Sequence, residues 1–361
     1  MASKFNISGK YFDELGKYLS SFKGKNDAVR ITTSKSGVEF RFTEDGILGS
    51  CKLPIIATGS DDIYVKFSVL SNILSASINK IVDFDIRDEN LIQVNIDGVN
   101  INISPEFFNG VAFFVPDLDN PEEELTISAD ILKDTVKKVS TQSSADSQTT
   151  PVMKIGAQWR YGTSVNITLM DSKEFAKVNW NVSSTFIKFI SAITKLDQDV
   201  QFMHIHGEYE NYLVITCGYT TFWTTMAGIE PVDITEFMEQ DVSSVSSWTN
   251  SKFVMQSLEK LYIPLIGSVD EPHVIVTIGA DKTKLLVTDL ANRISFDVLE
   301  HEGQVAYDEP VELNFHAIFN VMKKLNSSLP FKVTVKETCM IFTQGTTGED
   351  SLTCLISRYI A

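Results

Sequence analysis

The chain has 361 residues, 43% of them hydrophobic, which supports two or three cores but offers no run of the ~18–20 apolar residues that a membrane-spanning helix needs. Taken alone, the net charge of −16 argues against nucleic-acid binding, because phosphate contacts need Lys and Arg. Cys51, Cys217, Cys339 and Cys354 are scattered without a Cys-x-x-Cys pair, which argues against a disulfide framework or a thiolate zinc site.

The start, Met1-Ala2-Ser3-Lys4-Phe5-Asn6, lacks an apolar signal region, so the expected location is cytoplasmic. From there one pattern recurs six times: a short β-like lead-in, an amphipathic helix, then alternating strands. The lead-ins are Lys4–Ser8, Ile63–Phe67, Glu124–Ser128, Val178–Ser183, Val245–Asn250 and Val311–Phe315. Helices are expected to begin near residues 10, 67, 130, 184, 251 and 314, a period of roughly sixty residues.

The first helix carries Tyr11, Leu15, Tyr18, Leu19 and Phe22 on one face. Val29–Thr33 and Val38–Thr43 follow as a hairpin around a Ser-Gly turn. Leu91–Ile96 and Val99–Ile103 flank Asp97-Gly98, a strong two-residue hairpin signal. The third helix groups Ile131, Leu132, Thr135, Val136 and Val139, with Ser128 and Asp130 as N-cap candidates. Val274–Ile278 and Lys284–Thr288 form a hairpin around Gly279–Thr283. The sixth helix groups Phe315, Ile318, Phe319, Met322 and Leu325. Val333–Val335, Met340–Thr343 and Leu352–Ile356 are the last strands. Two polar stretches, Asp117–Glu124 and Asp233–Ser247, read as linkers, giving three segments of two repeats: 1–120, 123–242 and 245–361.

The polar faces of these helices are basic. Lys10 and Lys17 share a face, as do Lys133 and Lys137, Lys188 and Lys195, and Lys252 and Lys260; Lys323, Lys324 and His316 share that of the sixth helix, and the second ends at Lys80. These cations are all lysine and outnumber the acids, so the strands and loops hold the negative excess. Lysine is a flexible, hydrated point charge, whereas arginine favours bidentate, position-fixing contacts. Many weak phosphate contacts without base readout suit a surface that moves along DNA. A negative exterior repels DNA elsewhere.

A periodic β-α-β-β-β unit, twice in each of three segments and with basic helix faces, resembles the bacterial-type DNA polymerase sliding clamp (the β clamp) over the whole chain. The run Thr168-Leu169-Met170-Asp171-Ser172-Lys173-Glu174-Phe175-Ala176 stands where the family has Ala-Thr-Asp-Gly-His-Arg-Leu-Ala. Asp171 and Ala176 match, Phe175 replaces the Leu, and the Gly, His and Arg are absent. Val311-Glu312-Leu313-Asn314-Phe315 opens a helix, and Cys354-Leu355-Ile356-Ser357-Arg358-Tyr359-Ile360 closes the chain, with Arg358 aligned to the Arg of the family's Met-Pro-Met-Arg-Leu ending. The departures place the chain in a divergent lineage, with a bacteriophage as the expected source and the host cytoplasm as its location.

The resemblance implies an α+β fold of three tandem clamp-like domains, with helices lining the hole of a ring and antiparallel sheets outside. It implies a head-to-tail homodimer that encircles double-stranded DNA without sequence preference, a DNA polymerase and an ATP-driven clamp loader as partners, no catalytic residue and no cofactor. In its terms Lys10, Lys17, Lys80, Lys133, Lys137, Lys188, Lys195, Lys252, Lys260, Lys323 and Lys324 line the hole. Met170, Phe175, Leu355, Ile356 and Tyr359 stand near the family's peptide-binding cleft between the second and third domains.

Enzyme readings are weaker. His204, His206 and Glu208 alternate on one strand face, a geometry open to a metal, but a solvated face explains them better. Gly279-Ala280-Asp281-Lys282-Thr283 resembles a fragment of a phosphate loop but is followed by a strand rather than a helix, and reads as a hairpin turn. The alternative of another class is a non-enzymatic, β-rich phage structural or adaptor protein, which would not require lysine on six evenly spaced helices.

Overall fold

Each of the six amphipathic stretches forms a helix where its apolar spacing places it, since burial of one stripe is what stabilises a helix of only ten or so residues. The computed structural model describes residues 3–22, 27–44, 46–77, 80–88, 91–106, 120–140, 152–162, 166–207, 210–231, 233–248, 251–262, 272–278, 282–288, 293–300, 302–303, 307–346 and 349–359. In chain order it gives β1 (Ser3–Ile7), α1 (Gly9–Leu19), β2 (Ala28–Ser34), β3 (Gly37–Glu44), β4 (Ile47–Leu53), β5 (Asp62–Lys66), α2 (Phe67–Ala76), β6 (Val82–Asp88), β7 (Leu91–Ile96) and β8 (Val99–Ile103). There follow β9 (Glu123–Ile127), α3 (Ala129–Val139), β10 (Val152–Gly156), β11 (Gln158–Gly162), β12 (Asn166–Asp171), β13 (Asn179–Ser183), α4 (Ile187–Ile193), β14 (Val200–His206), β15 (Asn211–Cys217) and β16 (Thr220–Thr225). The last part holds α5 (Thr235–Glu239), β17 (Val242–Trp248), α6 (Ser251–Tyr262), β18 (His273–Ile278), β19 (Lys282–Thr288), β20 (Arg293–Glu300), β21 (Glu302–Gly303), β22 (Tyr307–Asn314), α7 (Phe315–Lys324), β23 (Phe331–Lys336), β24 (Cys339–Thr346) and β25 (Glu349–Ser357).

The described strands form four antiparallel sheets, ordered β1-β6-β7-β8, β5-β2-β3-β4-β16-β15-β14-β9, β13-β10-β11-β12-β25-β24-β23-β17-β21 and β20-β19-β18-β22. The two long sheets are each two shorter ones fused edge to edge. At one seam β4 pairs with β16 from Ile47↔Thr224 to Cys51↔Thr220; at the other β12 pairs with β25 from Asn166↔Ile356 to Met170↔Leu352. By compactness the chain divides into two units, residues 1–133 with 185–226, and residues 134–184 with 227–361. These bounds pass through the middle segment, 123–242, because ladder hydrogen bonds run unbroken across each seam.

In the first unit the β4·β16 seam lies against rings. Phe22 sits 4.6 Å from Phe42, 5.1 Å from Phe189 and 5.8 Å from Phe222, and Tyr18 stacks on Phe222 at 5.8 Å. Gly49 of β4 is there because nothing larger fits: a Cβ would come within 2.7 Å of Phe22 Cζ and 2.9 Å of Tyr18 Cε2. In the second unit Trp159, Trp180 and Trp248 are fully buried.

The hairpins stand where turn chemistry puts them, including β7–β8 around Asp97-Gly98, both at positive φ. Ser128 precedes α3 and its Oγ accepts from Ile131 N at 3.5 Å, while Asp130 lies in the first turn. Two expectations are corrected. Asp233–Ser247 is not a plain linker: it contains α5 and most of β17, built from polar residues that lack a visible apolar period. Ile131, expected on the apolar stripe of α3, is 41% exposed, one position off the arc buried by Leu132, Val136 and Val139. Residues 117–119 and 279–281, Glu208, Thr249, Asn250 and Ile360 lie outside the described residues.

Candidate nucleic-acid interface and partner cleft

In the first unit the lysines are spread out and partly committed. Lys10 and Lys17, one side of α1, are exposed and border a concavity of about 430 Å³ with Asp13, Glu14, Leu196, Gln198, Gly218 and Tyr219. The Lys10 ammonium lies 5.2 Å from the Tyr11 ring and 5.9 Å from the Tyr219 ring. Beneath them Glu14 is 7% exposed, and its Oε1 accepts from Tyr219 N at 2.5 Å. Burial raises the Glu14 carboxyl above its usual range, against the opposing pull of the Tyr219 amide, Lys17 and Lys10. Lys133 donates to Asp197, which raises the lysine and lowers the aspartate. Lys80 pairs with Asp97 at 2.9 Å, beyond the end of α2. Lys188 and Lys195 are exposed on α4 and in the short helical turn after it.

In the second unit the lysines converge. A cleft of about 880 Å³ is lined by Asp134, Lys137 and Lys138 of α3, Ser251, Lys252 and Met255 of α6, and Met322, Lys323 and Lys324 of α7, with Leu325–Ser327, Leu329, Gln344, Gly345 and Leu352 completing it. Lys138 pairs with Asp134 at 2.6 Å. Lys137, Lys252 and Lys323 are exposed, and Lys323 lies 4.3 Å from the Phe319 ring. Lys260 is also exposed but does not line the cleft.

Lys324 corrects an expectation. It is 8% exposed, and its ammonium donates to Thr168 Oγ1 at 2.6 Å and to Val139 O at 3.4 Å. It is a wall of the cleft and a tie between α7, β12 and the end of α3, not a surface cation. Burial lowers its pKa to about 8.

The residues expected near the peptide-binding cleft lie mostly in the core. Met170, Phe175, Leu355 and Ile356 are all buried. Phe175 meets Trp159 edge-on at 4.9 Å. Side chains alternate along a strand. Thr168 and its cross-strand partner Cys354 face Lys324, so Met170 and Ile356, two residues along each strand, point the same way. Leu355 takes the other face, packed with Cys339 and Ile341 beneath Phe237, while Ile167 and Leu169 pack beneath Ile234.

Segment 234–240 therefore lies across the β12·β25 seam. Lys336 Nζ fixes its end by donating to Met238 O and Gln240 O, and Gln240 exchanges hydrogen bonds with Thr338. Ile167, Leu169, Ile234, Phe237 and Ile341 were not singled out in the sequence; the run Ile167-Thr168-Leu169-Met170 shows no alternation from which to read a face. Tyr359 is the half-exposed member of the set, stacked on His273 at 4.0 Å, with its amide donating to Glu312 O.

His204 Nδ1 faces Glu122 at 3.4 Å and Glu123 at 3.9 Å, and His206 Nδ1 faces Glu122 at 3.9 Å. Among the described residues no three His, Cys, Asp or Glu side chains are grouped to hold an ion. Lys282–Thr288 is a strand paired with β18, not the start of a phosphate-loop helix. No described helix is long and apolar enough to cross a membrane.

No family model matches the sequence, and no curated protein matches it. Solved structures do match. The chain is similar to DNA polymerase III β subunit from Thermotoga maritima, with a TM-score of 0.79 at 9% identity over 99% of this chain and 100% of that one. It is similar to the DNA polymerase sliding clamp of Bacillus subtilis, with a TM-score of 0.75 at 14% identity over all of both chains. The β subunit from Borrelia burgdorferi, solved with a natural product, gives a TM-score of 0.79 at 11% identity over 99% and 98%. Identities of this size carry the fold and not the chemistry: from end to end the chain has the fold of bacterial DNA polymerase III β subunits.

Proposed function

We propose that the protein is a DNA sliding clamp, a non-enzymatic ring subunit that encircles duplex DNA without sequence preference and tethers a DNA polymerase after an ATP-driven loader has placed it. The observation that carries this reading is the exposed lysine on α1, α3, α4, α6 and α7 of a clamp fold in a chain of net charge −16. Lysines there give weak, salt-screened contacts, and the negative remainder opposes approach from outside. The three segments, 1–120, 123–242 and 245–361, act as three clamp domains.

Internal pairing supports a head-to-tail homodimer. β4 and β12 hold equivalent places in their repeats, as do β16 and β25, and each seam joins one of the first kind to one of the second. β20 is the third strand of the first kind and β8 the third of the second, and both end their sheets. An open sheet edge is a template for another strand. Pairing β20 of each subunit with β8 of the other satisfies both edges twice and closes a two-fold ring. The cytoplasm, the host's if the source is a phage, is the location this work requires.

The test is retention on nicked circular DNA after loading, measured before and after linearisation. Loss on linearisation is expected, because a ring slides off an end. Equal retention on both forms means ordinary surface binding and overturns the clamp reading.

A further inference from the structure

We propose that the cleft between α3, α6 and α7 is a seat for a segment of single-stranded nucleic acid. The proposal deepens the clamp reading and rests on it for the identity of the polyanion. Four of the lining side chains, Lys137, Lys138, Lys252 and Lys323, are cationic and not buried, and the one carboxylate among the described lining residues, Asp134, is held by Lys138.

Helix polarity explains only part of this cluster. Lysines in the last turns of α3 and α7 offset the negative ends of those helices. Lys252 stands in the first turn of α6, where a cation is disfavoured, and it lines the same cleft. A bound anion compensates that placement; no carboxylate occurs in the first turn of α6.

Size and lining select the strand. About 880 Å³ falls within the roughly 300–1,000 Å³ of pockets that close round a small ligand. A duplex, whose major groove alone is about 12 Å wide, is too broad and stiff to bend into it. A flexible strand enters one phosphate at a time. Sites for single strands combine a basic groove with aromatic platforms. Phe319, 4.3 Å from the Lys323 ammonium, and Phe253, next to Lys252 and 41% exposed, adjoin lining residues but do not themselves line the cleft. Met255, Met322 and Leu329 supply apolar wall, so bases need not leave an apolar surface to bring phosphate to lysine.

The test uses the whole protein without loader or circle, so it fails independently of the clamp reading. Anisotropy of a labelled oligothymidylate and of a duplex of equal length is measured at low and raised salt, with inorganic pyrophosphate as competitor. The expected result is tighter binding of the single strand, lost at least about tenfold in the K137A/K252A/K323A variant and weakened in M255A. K35A/K52A/K332A, with the same change in charge at exposed positions away from the cleft, should keep the wild-type affinity. Equal losses in both triple variants, a duplex bound as tightly as the strand, or a cleft filled by pyrophosphate but not by the strand would each overturn the proposal. Far-ultraviolet circular dichroism shows whether a lost affinity reflects a lost fold, and M255A, which alters the cleft wall and removes no charge, then decides.

Discussion

The two seams have the same topology and opposite chemistry. Each joins two arrays, of four and four strands at the first and four and five at the second, through five antiparallel residue pairs, and each lies beneath a helix that buries a charged residue. At β4·β16 the packing is aromatic, and the buried charge is the acid Glu14 of α1, held by a backbone amide. At β12·β25 the helix side sets a polar centre, the base Lys324 with Thr168 and Cys354, among the apolar Met170, Leu352 and Ile356, while segment 234–240 covers the other face. A sheet junction thus fixes where strands meet but leaves open what stabilises the meeting. The first seam depends on filled volume, the second on satisfied polar groups.

The largest effect should come from removing volume at the first seam. Phe222 is fully buried and touches Tyr18, Phe22 and Phe189. Phe222→Ala should cost about 3–5 kcal/mol, read as a lower urea midpoint at unchanged slope. A loss under about 1 kcal/mol would show that the aromatic cluster collapses into the space and that the contrast between the seams is false.

Next in size is the titration of Lys324. Its pKa falls from 10.5 in the unfolded chain to about 8 in the folded one, so between those values the unfolded state binds more protons and stability rises with pH. The full rise is about 3 kcal/mol, completed above pH 10.5. Other groups titrate in that window, so the difference between wild type and Lys324→Met is the quantity to follow. It should grow in favour of the wild type from pH 8 upward, and a constant difference would mean that the ammonium is solvated.

Overpacking the first seam should be smaller. Gly49→Ala must displace Phe22 or Tyr18, both set in rings, and should cost about 1–3 kcal/mol by thermal unfolding. An unchanged midpoint would show that those rings give way.

These features were not equally legible in the sequence. The six helices and the hairpins were, because Leu15, Tyr18, Leu19 and Phe22, or Ile318, Met322 and Leu325, are spaced as one face, and Asp97-Gly98 specifies a turn. α5 was not: five residues with no buried side chain leave no periodic signal, and only its docking on Cys339, Ile341 and Leu355 defines it. Lys324 read as a solvated last-turn lysine because sequence does not show that Thr168 and Val139 O stand opposite it across 156 and 185 residues. The sequence placed Met170 and Ile356 near a cleft without giving them a face, for a related reason: a strand covered on both sides does not say which of its apolar residues face the helices.

The smallest effect concerns Glu14, and its sign is opposite to that of Lys324. Burial raises the carboxyl, so just above its unfolded value of 4.5 the folded state binds more protons than the unfolded chain. Its contribution is therefore largest at acid pH and declines as pH rises through the folded value. The surroundings do little to reverse this: Lys10 and Lys17 approach from α1 itself, Asp13 is like-charged, Cys51 and Cys217 face it from β4 and β15 with their own thiols raised, and Gln198 is neutral. Among the described residues the amide of Tyr219 is the one directed donor, and a glutamine oxygen can accept from it equally well. Glu14→Gln should therefore be neutral or stabilising by a few tenths of a kcal/mol at pH 7, and should remove the decline of stability just above pH 4.5 that the wild type shows. Unfolding in urea at pH 4.5, 5.5 and 7 measures both. A Gln variant clearly weaker at pH 7 would mean that the charge itself, through Lys10 and Lys17, holds α1 to the β15–β16 turn, and the first seam would then be electrostatic in the same sense as the second.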